Sequence, residues 1–190
     1  MDDAVVQFPD PLDTATALGR ARAAGASVWA LAIPWAFVSP TEPPSIAAAR
    51  DPGWAGYDWR ATDAAVRAIA RAHLQPLAVV QDAPRWAEGP NRPSTSVAAT
   101  GTWDPSAKWL GAFATALARR YSGSFSDPAT STPQLPAVRY WEPWNEPNLA
   151  VFLTPQWDRV GGTERSESPQ IYRRLLNAFY AAVKAVAGST

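Results

Sequence analysis

Apolar residues in this chain fall into short continuous runs alternating with longer stretches in which they recur three and four apart. Ala4 to Phe8 is a short apolar run that predicts a first strand. Leu12 to Ala24 carries helical spacing, with Gly25 as its stop. Val28 to Ile33 is nearly all apolar, as a strand covered on both faces requires, and Pro34 ends it. After a proline-rich stretch, Asp58 is placed to cap a helix reaching Ala72, with Ala65, Ile69 and Ala72 on one stripe. Leu77 to Val80 is the next strand. Asp104-Pro105 reads as a cap and first turn, and Leu110, Phe113, Leu117 and Tyr121 follow at helical spacing. Ala137 to Trp141 is a fourth strand. Ser168-Pro169 opens a last helix with Ile171, Leu175, Ala178, Ala182 and Val186 on one face.

The order βαβαβαβα implies parallel strands joined by right-handed crossovers. An open doubly wound sheet and a (β/α)8 TIM barrel both satisfy it. No glycine-rich phosphate loop follows the first strand, which leaves a nucleotide-binding sheet with little support. The long loops all follow strands, as on the active face of a barrel.

Composition narrows the partners. Acidic and basic residues number 17 each, so no basic face is offered to nucleic acid. No apolar run is long enough for a membrane span. The start Met1-Asp2-Asp3 has no apolar leader, and the compartment stays open. Zero Cys removes disulfide and thiolate chemistry, and one His cannot build a His-rich metal cluster, so neither a metal nor a cofactor is expected. That residue, His73, sits late in a helical stretch and reads as solvent-facing or C-terminal. The helical cations Arg67, Arg71, Arg119, Arg120, Arg173 and Arg174 read as a solvated outer face.

The chemistry concentrates in Tyr140-Trp141-Glu142-Pro143-Trp144-Asn145-Glu146-Pro147-Asn148. Here a carboxyl directly follows an amide at the mouth of a strand, between prolines and tryptophans. Aromatic enclosure would leave Glu146 poorly solvated and favour its neutral, proton-bearing form, suited to protonating a leaving oxygen. Asn145 is placed to hydrogen-bond a sugar hydroxyl. Glu142, on the same strand, lies roughly 13 Å from Glu146 at ~3.3 Å per extended residue, too far for a paired nucleophile. It reads instead as a buried polar residue tied to Arg or backbone donors.

Trp-Asn-Glu-Pro at a strand end resembles the acid/base signature of clan A retaining glycoside hydrolases, and the longer run is most similar to families 39 and 5. The segment Ala83-Pro84-Arg85-Trp86-Ala87 is similar to one that follows the third strand in family 39-like proteins. The resemblance implies a TIM barrel whose fourth strand carries Glu146 as general acid/base and Asn145 as the ligand of the sugar 2-hydroxyl. It also implies a nucleophile after the seventh strand, which this chain does not contain.

Further residues at strand ends are candidates for binding an oligo- or polysaccharide: Trp35 after the second strand, Gln81, Asp82 and Trp86 after the third, and Trp144 beside the acid. Trp86 has two readings, stacking on a sugar ring or pinning its loop. Gln81 and Asp82 either bind hydroxyls or cap a turn. Trp54, Tyr57, Trp59, Trp103 and Trp157 read as packing residues.

A complete barrel needs about 250 residues. The expectation is therefore that residues 1–190 form the N-terminal half of a glycosidase domain, truncated after its fourth helix. The parent would be a polysaccharide-degrading hydrolase, secreted or in the cell envelope, and this chain alone would be inactive. A non-catalytic carbohydrate-binding or scaffold half-barrel is the alternative. An unclosed half would expose strand edges, from which self-association is expected.

Overall fold

The computed structural model describes residues 11–126 and 134–187; the strand expected at Ala4 to Phe8 lies outside them. The elements run α1 (Pro11–Ala23), β1 (Val28–Pro34), α2 (Trp35–Val38), α3 (Ile46–Ala49), α4 (Arg60–Arg71), β2 (Gln75–Gln81), α5 (Ala107–Arg120), β3 (Tyr140–Pro143), β4 (Trp157–Val160), β5 (Thr163–Ser166) and α6 (Ser168–Ala187). The fold is mixed α/β. Three parallel strands form a sheet in the order β1-β2-β3, and β4 and β5 form a separate antiparallel pair.

The barrel, whole or half, is not what forms. Among the described residues the parallel sheet stops at three strands, and the second sheet is an antiparallel hairpin that does not extend it. The register explains the layering. Aligned residues of parallel strands share a face, so Trp29, Leu31 and Ile33 stand with Ala78 and Val80 and with Trp141 and Pro143. This face meets the helices: Trp29, Leu31, Ile33, Ala78 and Val80 are all buried, and Trp141 packs toward Phe179 of α6. The opposite face carries Val28 and Tyr140, both exposed, with Ala30, Ala32, Leu77 and Glu142 half-buried. One dry face and one wetter face make a two-layer packing.

Helix ends follow from local chemistry. Gly25, at φ 92°, closes α1 in a Schellman motif: Ala26 N–H donates to Ala21 O and Gly25 N–H to Arg22 O. The same pair of bonds closes α4 through Leu74 N to Ile69 O and His73 N to Ala70 O. The left-handed residue there is His73 at φ 58°, exposed. The stripe Leu110, Phe113, Leu117 and Tyr121 is buried in full on α5.

Several boundaries move. Residue 58 is not the α4 cap; Trp59 precedes the first turn, and the Asp58 carboxylate accepts from Arg60 N–H beside it. The α5 cap is Ser106, whose hydroxyl accepts from Trp109 N–H, while Asp104 turns away to Arg174 of α6. The fourth expected strand begins later, at Tyr140, because Val138 N–H is taken by Tyr121 O at the end of α5. Arg120 is not on a solvated face. It is 3% exposed, bonded to both oxygens of Asp63 (2.9 and 2.6 Å) and held between the rings of Trp59 and Phe125. The β4–β5 hairpin was not expected from the apolar pattern, although Gly161-Gly162, both at positive φ, is a two-residue hairpin loop.

Candidate functional site

The C-terminal ends of β1, β2 and β3 bring most of the expected residues to one rim. Val80 pairs with Pro143, and Trp144 N–H donates to Val80 O at 2.7 Å, which fixes the exit of β3 against that of β2. Beyond this pair the chain turns sharply on both strands. Asp82 (φ 55°), Trp144 (φ 69°) and Glu146 (φ 35°) all adopt the left-handed region, an unfavourable conformation that persists only where surroundings impose it.

Those surroundings can be named. Trp144 is 1% exposed and its indole N–H donates to Phe152 O at 2.8 Å. Trp35 is fully buried, stacked on Phe113 at 5.5 Å with Trp86 edge-on at 5.5 Å. Both tryptophans were expected to contact substrate. They are pedestals instead, because each is buried in the core, Trp35 against Phe113 of α5 and Trp144 beneath the loop after β3. Trp86 is half-buried, bonded to Ser39 O at 3.0 Å and edge-on to Trp109, so it pins its loop.

At the turn after β3 two polar residues reach solvent. Asn145 is half-buried and Glu146 is exposed, its backbone oxygen accepting from Leu149 N–H at 2.9 Å. The enclosure expected for the Glu146 carboxyl is therefore absent: the rings that flank it in sequence point inward. Gln81 ends β2 and donates to the Asp82 carboxylate at 3.3 Å, while its own Oε1 is buried with no hydrogen-bond partner. Burial pushes the Asp82 carboxyl above its ordinary range, against the opposing pull of the Gln81 amide. The Asp82 carbonyl accepts from Ala36 N–H at 2.8 Å. Glu142 is half-buried; burial, then the Glu142 charge, raise the Tyr172 phenol.

A functional support that sequence reasoning missed is Glu88. It lies in a turn of polar and small residues, Ala87-Glu88-Gly89-Pro90, that signals a solvated loop. Its side chain is 0% exposed and accepts from Arg92 Nε (2.7 Å), Arg85 (3.2 Å), Gly101 N–H (2.9 Å) and Trp103 N–H (3.2 Å). Gly101 in turn accepts from Ala83 N–H and lies so close to Asp82 that an added Cβ would meet the Asp82 Cα at 3.0 Å. Glu88 thus sets the height of the loop that presses on Asp82. Thr102 and Thr154 share a hydroxyl contact at 2.8 Å, Thr154 N–H donates to Thr102 O and Asp104 N–H to Thr154 O, tying this loop to the one after β3.

Trp157 also departs from its expected packing role: it is 65% exposed on the hairpin. Trp59 (6% exposed) and Tyr57 do pack, against each other and Phe113. No group of His, Asp and Glu suited to a metal ion occurs among the described residues, and no described helix is long and apolar enough to cross a membrane. Compared with known proteins, the chain matches no family model and no curated protein.

Proposed function

We propose that this rim is the acid/base half of a glycoside hydrolase site, acting on O-glycosidic bonds of an oligo- or polysaccharide by a retaining double displacement. The observation that carries the reading is the turn after β3, where Trp144 and Glu146 take left-handed backbone around Asn145 and Glu146 is exposed, at a strand exit paired with that of β2, which leads into Gln81 and Asp82. Glu146 protonates the leaving oxygen and then, as carboxylate, takes a proton from the incoming water. Asn145 holds the 2-hydroxyl. Gln81 and Asp82, half-buried at the end of β2, bind further hydroxyls. The nucleophile is assigned to none of these 190 residues, so the chain by itself is expected to turn over no glycoside.

The exposure of Glu146 favours a second reading, a non-catalytic carbohydrate-binding protein. The two separate on aryl β-glycosides of graded leaving-group basicity, assayed on the protein together with whatever supplies its second carboxylate. With a poor leaving group, Glu146→Gln is expected to lose turnover by about 10²–10⁴-fold. With a good one it keeps its first step and slows in the second. Equal loss across the series would remove Glu146 from the acid role. Oligosaccharide binding without turnover in any context would leave the binding reading.

A further inference from the structure

The β4–β5 hairpin has no part in the site as described so far, yet it is built into it. All eight strand residues are exposed, and a two-stranded ribbon is marginal on its own. Its base is tied down by one side chain. Gln156 Nε2 donates to Pro147 O (3.0 Å) and Leu153 O (2.7 Å), and its Oε1 accepts from Ser168 Oγ (3.0 Å). Glu167 N–H donates to Gln156 O at 2.9 Å. Residue 156 adjoins Trp157, and residue 147 adjoins Glu146, so one hydrogen bond couples the hairpin to the turn that carries the acid.

The pairing of Trp157 with Ser166 and of Arg159 with Glu164 places these four on one face. That face is a single large ring bordered by a cation, a carboxylate and a hydroxyl. A protein partner would call for contiguous apolar surface. A pyranose ring calls for this instead: one flat C–H face to lie on the indole and a rim of hydroxyls to meet donors and acceptors. We propose that Trp157 is a stacking platform that receives a second sugar ring of the substrate, adjacent to the ring held at Asn145 and Glu146. The inference rests on the carbohydrate reading of the rim and adds a preference for oligosaccharides over single sugars. Arg159 and Glu164 serve the ring's hydroxyls.

The test uses the full chain labelled with 5-fluorotryptophan, the Trp157 resonance being identified by its loss in Trp157→Phe. β-1,4-linked glucose and xylose hexamers and dimers are the probes. A hexamer is expected to shift the Trp157 resonance. Stacking would hide on the order of 60–80 Å² of apolar surface, so Trp157→Ala is expected to bind the hexamer about ten- to thirtyfold more weakly. Trp157→Phe is expected to retain most of the affinity, and the dispersion of the other fluorine signals to remain. Unchanged hexamer affinity in Trp157→Ala, or hexamer binding that leaves the Trp157 signal still, overturns the platform. So does the absence of binding by every probe. Loss of the hydrolase reading in the leaving-group assay, with the Trp157 response intact, sinks the catalytic role of Glu146 and leaves the platform standing.

Discussion

Glu88→Ala is the sharpest test of how this rim is supported. The Glu88 side chain has no solvent exposure, and its removal strands three sorts of donor. Arg92, 5% exposed at its side chain, loses its counter-charge but keeps the carbonyls of Pro93 and Ala98, each at 2.8 Å. The amides of Gly101 and Trp103 lose their acceptor outright. Arg85, 65% exposed, loses a contact that water replaces. Breaking a buried ion pair from one side costs about 3–5 kcal/mol, and each buried amide left unmade about 1–3 kcal/mol. Water entering the space recovers part of this, so the whole effect is set at about 3–5 kcal/mol, or roughly 6–20 °C in Tm for a chain of this size. Glu88→Gln keeps one acceptor oxygen but turns an NH2 toward a guanidinium; about 2 kcal/mol is expected. Arg85→Ala should cost under about 1 kcal/mol. Urea unfolding of the single variants, with double-mutant cycles pairing position 88 with 92 and with 85, separates the terms. If Glu88→Ala costs less than about 1 kcal/mol, or the 88–85 coupling equals the 88–92 coupling, the buried-hub account is wrong.

Two further outcomes follow from the backbone and from burial. Because burial raises the Asp82 carboxyl in the folded state, the folded protein holds that proton more tightly than the unfolded chain. This stabilisation is complete below the unfolded carboxyl value of ~3.9 and is lost as pH rises through the folded one, so Asp82→Asn should be more stable than wild type at pH 7, with the advantage shrinking on acidification; an advantage that is flat or grows toward pH 4 in urea melts contradicts the assignment. His73 closes α4 in left-handed backbone, and His73→Gly should gain about 0.5–1 kcal/mol, read as a higher urea midpoint at unchanged slope, whereas a loss would mean that the exposed imidazole does more than cap.

Much of the local structure was legible because single residues decide it. Gly25 stops α1, Pro34 ends β1, and the Leu110-Phe113-Leu117-Tyr121 stripe faces the core. The order of parallel strands was legible too. Curvature was not, since nothing in an apolar run states how many neighbours a strand will have; the same Val28 to Ile33 run fits a barrel stave or one edge of a three-stranded sheet. The site divides in the same way. The residue types at the rim followed from motif and strand position, but side-chain direction did not. Trp35 and Trp144 look in sequence like Trp157, and only packing separates the first two, at 0% and 1% exposure, from the third at 65%. Glu88 and Gln156 gave little signal, because much of what each holds is backbone, the amides of Gly101 and Trp103 and the carbonyls of Pro147 and Leu153, which no side-chain pattern records.

That division bears on how the rim works. Three non-glycine residues in left-handed backbone, at the exits of two adjacent strands, cost on the order of 1–2 kcal/mol each. The core offsets the cost: Trp144 is wedged below its own turn, Trp35 and Trp86 brace the exit of β1 against the loop after β2, and Gly101, lacking a Cβ, lets its loop approach the Asp82 backbone closely. The aromatic residues therefore serve rigidity, and the polar residues they lift serve contact. A rigid open rim binds without rearranging, which conserves affinity. It does not exclude water, and a transition state is served best where water is excluded. On the proposed glycosidase reading, Glu146 consequently depends on what lies over it. Gln156 ties the Trp157 hairpin to Pro147 beside Glu146, so in the protein completed by its nucleophile, loss of the indole should lower turnover on long substrates more than on short ones, whereas loss of Glu146 should lower both alike.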